Sequence, residues 1–269
     1  MTSNLWYPKQ KPLLSLTSLS GGAAGLMIKK DDAECTGSGN SCEFDGNLTR
    51  LRTSSNSDMA MGTGTFTFEM FFKLDQATST YQHLFGTRTA NTNNTGAGWS
   101  IGLSDGLNIV LFTSAFDCSP SYTFEPLKWY HIACVREGTG TNETKFYING
   151  TLAISGNCAS NLTNDELGIG NLAGSGTGAP SGSEPVDGHI SNVRITKGQT
   201  IYTSNFTPAT SALTSTSQGA NASNVKLICC QSSSDVTAVA HGSVSLGDIG
   251  SVSATSDGPF GCTLGTDAG

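Results

Sequence analysis

The sequence predicts an all-β protein built as two antiparallel sheets packed face to face. Apolar and polar residues alternate in many short segments, and no segment repeats apolar residues at the spacing of a helix. Asn-Gly and Asp-Gly pairs, which favour tight hairpin turns, separate several of these segments. Only 13% of the residues are charged, against about 25% in ordinary domains, and Gly, Ser, Thr and Asn fill the difference. Short strands joined by polar turns are typical of a β-sandwich.

The clearest strand covers residues 65–74. Within it, Phe66, Phe68, Met70 and Phe72 share one face, because side chains alternate between the two sides of a strand. We therefore expect a central strand with one side in the core and the other side partly covered.

Two hairpins are predicted from turn dipeptides. Asn149-Gly150 and Asp105-Gly106 each lie between two apolar segments, and a type I′ turn needs residues that tolerate a positive φ. Further strands are expected at 128–136 and 167–170, and the glycine-rich residues 173–183 should form a loop at the rim.

The texture of the sequence divides the chain into three parts. These are an N-terminal arm and linker at 1–43, the sandwich at 44–232, and a polar, Gly- and Ser-rich tail at 233–269 that could add edge strands. Apolar residues of the arm would stay in contact with water unless they docked onto a partner. A disordered terminus is the alternative. The expected docking residues are Trp6, Tyr7, Pro8, Leu13 and Leu14.

The charge balance excludes several classes of function. The formal net charge is -7, and the 14 Lys and Arg residues are scattered, which argues against a nucleic-acid groove. No apolar run approaches the roughly 20 residues that a membrane-spanning helix needs. The first residues lack a basic segment followed by an apolar one, so we expect a soluble protein without a secretory leader.

The eight cysteines do not follow the paired spacing of a zinc site. Cys35 and Cys42 flank a Gly/Ser loop and could close it, but buried free thiols are the favoured interpretation, because free Cys packs as a small apolar residue. Cys229 and Cys230 are neighbours in one strand and should face opposite sides, so they should not bond to each other.

No catalytic pattern is present in the sequence. A retaining glycosidase places two carboxyl groups close together, often on alternate residues of one strand, but Glu69 stands alone in its strand. We predict that Glu69 pairs with Arg194 on a facing or adjacent strand. The four histidines follow no metal-binding spacing, and the serine-hydrolase and phosphate-loop motifs are missing. The chain is therefore predicted to be no enzyme.

Short motifs occur in a fixed order along the predicted sandwich. They lie at 44–46, 64–69, 188–198, 202–208 and 225–231, and Trp-Tyr-His-Ile-Ala follows Lys128 between them. Together they resemble the laminin-G-like (concanavalin A-like) jelly-roll domains that recur in phage virion proteins, notably those of marine cyanophages. The resemblance covers roughly residues 44–232. It implies a two-sheet antiparallel jelly-roll sandwich with an extended arm and a polar tail, used for surface display or binding.

Such a domain could bind sugars through exposed aromatic rings. Ordinary packing is the simpler explanation for each candidate, which are Tyr81, Trp99, Tyr122 and Tyr202. The resemblance also allows calcium at loop aspartates, although Asp-Gly pairs usually mark turns only. The calcium candidates are Asp45, Asp105 and Asp187; no other metal or cofactor is expected.

The expected function is that of a virion structural protein on the surface of a phage particle, assembled in the host cytoplasm. Its arm would bind other virion proteins, its sandwich could bind host glycans, and it should be oligomeric in the particle. A tail fibre usually adds a coiled-coil shaft, and no heptad run is present, so a capsid decoration or head-surface protein is favoured. The alternatives are a tail-fibre or tail-appendage adhesin and a soluble or cell-surface calcium-dependent lectin.

Overall fold

A computed structural model describes residues 35, 37–76, 80–91, 97–104, 108–113, 116–174 and 182–267. The five predicted docking residues of the arm, from Trp6 to Leu14, lie outside these ranges, as does the Asp105-Gly106 turn. In the described ranges, the helical content is two single turns of 3-10 helix, at Ser57–Met59 and Ser217–Gly219. Neither is long or apolar enough to cross a membrane.

Sixteen strands make up the rest of the regular structure. In chain order they are β1 (Ser41–Asp45), β2 (Arg50–Thr53), β3 (Phe66–Leu74), β4 (Gln82–Gly86), β5 (Ser100–Leu103), β6 (Ile109–Phe112), β7 (Phe116–Cys118), β8 (Trp129–Arg136), β9 (Thr144–Ile148), β10 (Thr151–Gly156), β11 (Gly168–Ile169), β12 (Asp187–Lys197), β13 (Val225–Cys229), β14 (Val239–His241), β15 (Leu246–Ile249) and β16 (Ser253–Thr255).

The strands form two antiparallel sheets, which confirms the predicted fold class. A nine-stranded sheet has the order β10-β9-β8-β3-β12-β1-β16, and the long strand β12 also pairs with β13, which pairs with β14. A seven-stranded sheet has the order β15-β2-β11-β4-β5-β6-β7. Side chains from the facing surfaces of both sheets form one large apolar core.

Strand β3 lies in the middle of the nine-stranded sheet, between β8 and β12. Phe66, Phe68, Met70 and Phe72 all point into the core between the sheets, as their alternation predicts. The outer side of β3 is more deeply buried than expected, because all nine of its residues are buried. Two chain segments pack across this outer face. They lie around residues 202–206 and 260–264.

The predicted hairpin at Asn149-Gly150 is confirmed. These two residues join β9 to β10 with φ angles of 50° and 79°, in the region that Asn and Gly tolerate best. The strands predicted at 128–136 and 167–170 correspond to β8 and β11.

At both ends of the described chain, the boundaries of the sandwich differ from the predicted division into arm, sandwich and tail. Strand β1 begins at Ser41, and a disulfide bond joins Cys35 to Cys262. Residues 35 and 37–43 therefore belong to the sandwich, whereas the sequence placed them in the arm. The tail contributes β15 to the seven-stranded sheet and β16 to the nine-stranded sheet. The boundary prediction missed this because the two cysteines are 227 residues apart, so that no local pattern marks their pairing.

The other six cysteines are buried free thiols, in line with the favoured interpretation. Cys42 does not close a loop with Cys35, so that alternative is wrong. Cys229 and Cys230 are not bonded to each other, and their Sγ atoms lie 3.7 Å apart.

Loss of the Cys35–Cys262 disulfide should destabilise the sandwich. It closes almost the whole described chain into one loop, and removing a native disulfide costs about 2–5 kcal/mol. We expect a reducing agent to lower the unfolding midpoint of the wild-type protein in urea. The double variant Cys35→Ser/Cys262→Ser is the control, because its lower midpoint should not respond to the reducing agent. An unchanged wild-type midpoint would contradict the assignment.

Candidate functional site

The deepest polar cluster of the described chain surrounds Glu69 on the outer side of β3. Arg194 on β12 donates from Nε to Glu69 Oε1 at 2.6 Å, and its Nη2 lies 2.5 Å from the same oxygen. This confirms the predicted pair. Tyr202 donates its hydroxyl to Glu69 Oε2 at 2.7 Å, and His131 Nε2 lies 3.3 Å from that oxygen.

The environment of Glu69 keeps its carboxyl group ionised. Burial alone would raise the pKa of Glu69, but the hydrogen bond from His131 and the positive charge of Arg194 outweigh burial, so the pKa lies below its usual value. All four side chains are shielded from solvent. Arg194 Nη1 also donates to the carbonyl oxygens of Thr214 and Ser217, both at 2.9 Å. The cluster therefore holds the chain that follows β12 against the sheet. Because solvent does not reach it, it is not a reaction centre open to a substrate.

Two of the four aromatic candidates for sugar binding are buried, which corrects the expectation for them. Trp99 is 0% exposed and stacks on Phe68 with ring centroids 3.9 Å apart. Tyr202 is 4% exposed and stacks on Phe206 at 3.6 Å. Neither ring can meet a ligand from solvent. Residue type alone could not show this, because the burial depends on which segment covers each sheet.

The other two aromatic candidates lie nearer the surface. Tyr122 is half-buried and packs against Phe124 and Tyr130, with centroid distances of 4.8 and 6.1 Å. Tyr81, which directly precedes β4, is 38% exposed. It borders a pocket and, among the described candidates, is the one that combines an exposed surface with a neighbouring cavity.

This pocket lies on the side of the seven-stranded sheet that faces away from the core, across β4, β5 and β6. Its volume is about 360 Å³, within the range of small-molecule sites, which is about 300–1,000 Å³. The residues that line it are Tyr81, Gln82, Arg88, Asn91, Ser100, Gly102, Leu103, Val110, Phe112 and Glu184.

One wall of the pocket is an ion pair on an aromatic ring. Arg88 donates from Nη1 and Nη2 to the two carboxylate oxygens of Glu184, at 3.1 and 3.2 Å. The guanidinium carbon lies 4.4 Å from the centre of the Phe112 ring. Burial raises the pKa of Glu184, although the charge and hydrogen bonds of Arg88 act in the opposite direction.

Two polar side-chain atoms of the residues that line the pocket are unpaired within the described part of the chain. Gln82 Oε1 and Arg88 Nε are buried, and neither has a hydrogen-bond partner among the described residues. Buried polar atoms are costly unless they are paired, so both add to the energetic cost of this part of the fold. Neither atom could be predicted from the sequence, since the strand pairing alone brings Gln82 and Arg88 together at the pocket.

Ser100 presents a second acceptor to the pocket. His83 Nε2 lies 3.3 Å from the carbonyl oxygen of Gly168, and Ser100 Oγ lies 2.7 Å from His83 Nδ1. Burial and the charge of Arg88 lower the pKa of His83 to about 3, so the imidazole is neutral. Its one proton is on Nε2, facing the carbonyl, and the Ser100 hydroxyl therefore donates to Nδ1. The lone pairs of Ser100 Oγ remain to accept a bond from a ligand.

The two calcium candidates in the described part of the chain both have hydrogen-bond partners. Asp45 Oδ1 accepts from Thr49 Oγ1 at 2.8 Å, and its Oδ2 accepts from Asn47 Nδ2 at 3.0 Å. Asp187 Oδ2 accepts from Gln76 Nε2 at 2.6 Å. Asp105 lies outside the described residues. The contacts of Asp45 hold its own turn, as the alternative interpretation expected. Asp187 is the first residue of β12, and its contact instead joins β12 to Gln76 beyond the end of β3.

Comparison with known proteins agrees with this architecture. The sequence profile of the concanavalin A-like lectin/glucanases superfamily, in its Laminin_G_3 form, matches residues 41–199. The chain belongs to this superfamily. No curated protein sequence matches the chain.

Two solved structures are similar in fold. A proposed carbohydrate binding protein from Bacteroides ovatus is 15% identical, with a TM-score of 0.55 over 84% of this chain and 62% of that one. The chain thus spans about three fifths of the length of that protein. The heptameric SAP-like pentraxin of Limulus polyphemus is 14% identical, with a TM-score of 0.50 over 83% of this superfamily member and 98% of the pentraxin.

The Glu69 cluster generates a stability prediction. Glu69→Gln should lower the free energy of unfolding by about 3–5 kcal/mol, because Arg194 would stay buried without its charged partner. Glu166→Gln is the matched control. It breaks the partly exposed pair with Arg52, which should be worth about 0–1 kcal/mol. Equal losses in the two variants, measured by urea unfolding, would contradict the role of Glu69.

The pH dependence of this contribution has a defined sign. Because the pKa of Glu69 is lowered on folding, its contribution is fully present above the unfolded value of about 4.3. The contribution is lost as the pH falls through the folded pKa. Below pH 4.3 the stability difference between wild type and Glu69→Gln should therefore shrink in urea titrations. A constant difference down to the pH of acid unfolding would refute the ionised carboxylate.

Proposed function

We propose that this protein is a non-catalytic carbohydrate-binding module displayed on the surface of a phage particle. The observation that carries the first part is the pocket across β4, β5 and β6, with the exposed ring of Tyr81 at its border. The second part rests on the ordered motifs that resemble virion jelly-roll domains.

The side chains of the pocket match the chemistry of a sugar. An aromatic ring can stack on the C–H face of a pyranose, while amide, hydroxyl and charged groups bind its hydroxyls. Here Tyr81 supplies the ring, and Gln82, Asn91 and Ser100 supply the polar contacts. The likeness to the Bacteroides ovatus protein supports the same ligand class.

The carboxylates argue for binding without catalysis. Glycoside hydrolysis uses two carboxyl groups, about 5–9.5 Å apart, on either side of the scissile bond. Among the described residues that line the pocket, Glu184 is the one that is acidic. Both of its oxygens accept hydrogen bonds from Arg88, so this described lining offers no second carboxyl group to act as a nucleophile or base.

The setting on a virion follows from the sequence resemblance. We place the protein on the head surface as a capsid decoration protein, anchored to other virion proteins by Trp6, Tyr7, Pro8, Leu13 and Leu14 of the arm. The sandwich would then face the medium and meet host glycans. A tail-appendage adhesin and a calcium-dependent lectin are the competing assignments, and each differs in a measurable way.

The variant Tyr81→Ala should lower the affinity for a bound glycan at least tenfold, because it removes the stacking surface. The glycan would first be identified on an array, and the affinity measured by calorimetry. Leu152→Ala is the matched control, since Leu152 is 41% exposed and lies on β10 of the other sheet. Equal effects of the two substitutions would reject this pocket. Glycan binding that disappears on addition of a chelator would favour the lectin assignment.

Deletion of residues 1–25 should prevent incorporation into particles, because it removes the proposed docking residues. The truncated protein should still unfold cooperatively, since the described sandwich begins at Cys35. Incorporation is measured by quantitative proteomics of purified particles. A normal amount of the truncated protein in particles would refute the role of the arm as an anchor. A copy number of the full-length protein far below that of the shell subunits would favour a tail appendage.

A further inference from the structure

A second cluster with the chemistry of a binding site lies on the outer side of the nine-stranded sheet, away from the sugar-binding pocket. It consists of Glu43 on β1, His189 on β12 and Asp75, which directly follows β3. Glu43 and His189 are paired in register on adjacent strands. One donor atom from each of the three side chains lies within 4.8 Å of the other two.

The orientation of His189 is fixed by a hydrogen bond on its far side. Ser41 Oγ lies 2.6 Å from the carbonyl oxygen of Asp257 and 3.2 Å from His189 Nδ1. A hydroxyl has one proton, and Ser41 donates it to the carbonyl, which cannot donate in return. His189 Nδ1 must therefore carry a proton and donate it to Ser41.

This tautomer places a lone pair where the carboxylates converge. In the neutral ring, Nε2 has no proton, and it lies 3.7 Å from Asp75 Oδ1. A lone pair that faces carboxylate oxygens is repelled unless a proton or a metal cation lies between them. A metal-binding histidine commonly donates its other ring N–H to a neighbouring acceptor, and here the Ser41 hydroxyl is that acceptor. His189 is 7% exposed, so its ring has little freedom to turn away.

Charged neighbours are compatible with a bound cation. Lys73, on the same side of β3, is itself paired with Asp257 at 2.5 Å.

We propose that Glu43, Asp75 and His189 bind a divalent transition-metal ion, with zinc as the best match. One imidazole and two carboxylates suit zinc and manganese, whereas calcium takes oxygen ligands only. Tetrahedral ligands at about 2.1 Å from zinc lie about 3.4 Å from each other. The separation of 3.7 Å between Nε2 and Oδ1 is close to this value. Glu43 and Asp75 are partly exposed and can complete the approach by side-chain rotation.

Three protein ligands would leave a fourth position open to water or to a group from a partner. The ion would also connect β1, β12 and the end of β3, and so stabilise the middle of the sheet. A ligand that binds only the folded state raises stability in proportion to the logarithm of its concentration.

The test uses the full chain after treatment with a chelator. Calorimetric titration with Zn²⁺ should show one ion per chain, and Co²⁺ should produce the visible absorption of a low-symmetry site. Glu43→Gln and Asp75→Asn should each weaken Zn²⁺ binding at least tenfold, and His189→Gln should abolish the cobalt spectrum. Circular dichroism of each metal-free variant shows whether it is folded. If His189→Gln does not fold, the two carboxylate variants still decide the test.

Asp45→Asn is the matched control. It removes the same charge from β1 on the same side of the sheet, two residues from Glu43, and should leave Zn²⁺ affinity within a factor of two. Absence of saturable binding would overturn the proposal. So would an equal loss in Asp45→Asn and Asp75→Asn, a thiolate-to-cobalt absorption band from the cysteines, or Ca²⁺ binding as tight as Zn²⁺ binding.

Discussion

The architecture depends on the burial of strand β3 on both of its faces. Its inner side contributes phenylalanines to the core between the sheets, and its outer side places Glu69 where solvent cannot reach. An isolated carboxylate there would cost several kcal/mol. The ion pair with Arg194 and the hydrogen bond from the Tyr202 hydroxyl offset this cost. Arg194 also donates a hydrogen bond to the carbonyl oxygen of Thr214, in the chain that follows β12.

Covering one sheet decides where binding can occur. The segments that follow β12 and β16 lie across the outer side of the nine-stranded sheet. Tyr202 of the first segment is buried against the sheet, and Phe71 of β3 is buried beneath the second. The outer side of the seven-stranded sheet holds the pocket beside Tyr81. The metal-ligand cluster lies at the margin of the covered side, where Glu43 and Asp75 still reach solvent. Each proposed site thus uses the part of its sheet that the covering segments leave open.

Local patterns and charge explain what could be predicted from the sequence. The alternation in β3, the Asn149-Gly150 hairpin and the Glu69–Arg194 pair follow from side-chain periodicity, turn chemistry and the cost of a lone buried charge. The Cys35–Cys262 disulfide and the pocket did not follow, because both join residues that are distant in the chain. Trp99 was misjudged for the same reason, since only the pairing of β4 with β5 shows that it lies in the core. The histidine spacing gave no hint of His189, whose partners come from two other strands.

The proposed binding of sugars on the outer side of the seven-stranded sheet can be located by NMR. The isotope-labelled protein would be titrated with the glycan identified on the array, and the chemical shifts followed. We expect the largest shift changes at Tyr81, Gln82, Arg88 and Ser100, with little change in the nine-stranded sheet. Shift changes centred instead on Asp45 and Asp187 would contradict the proposed pocket.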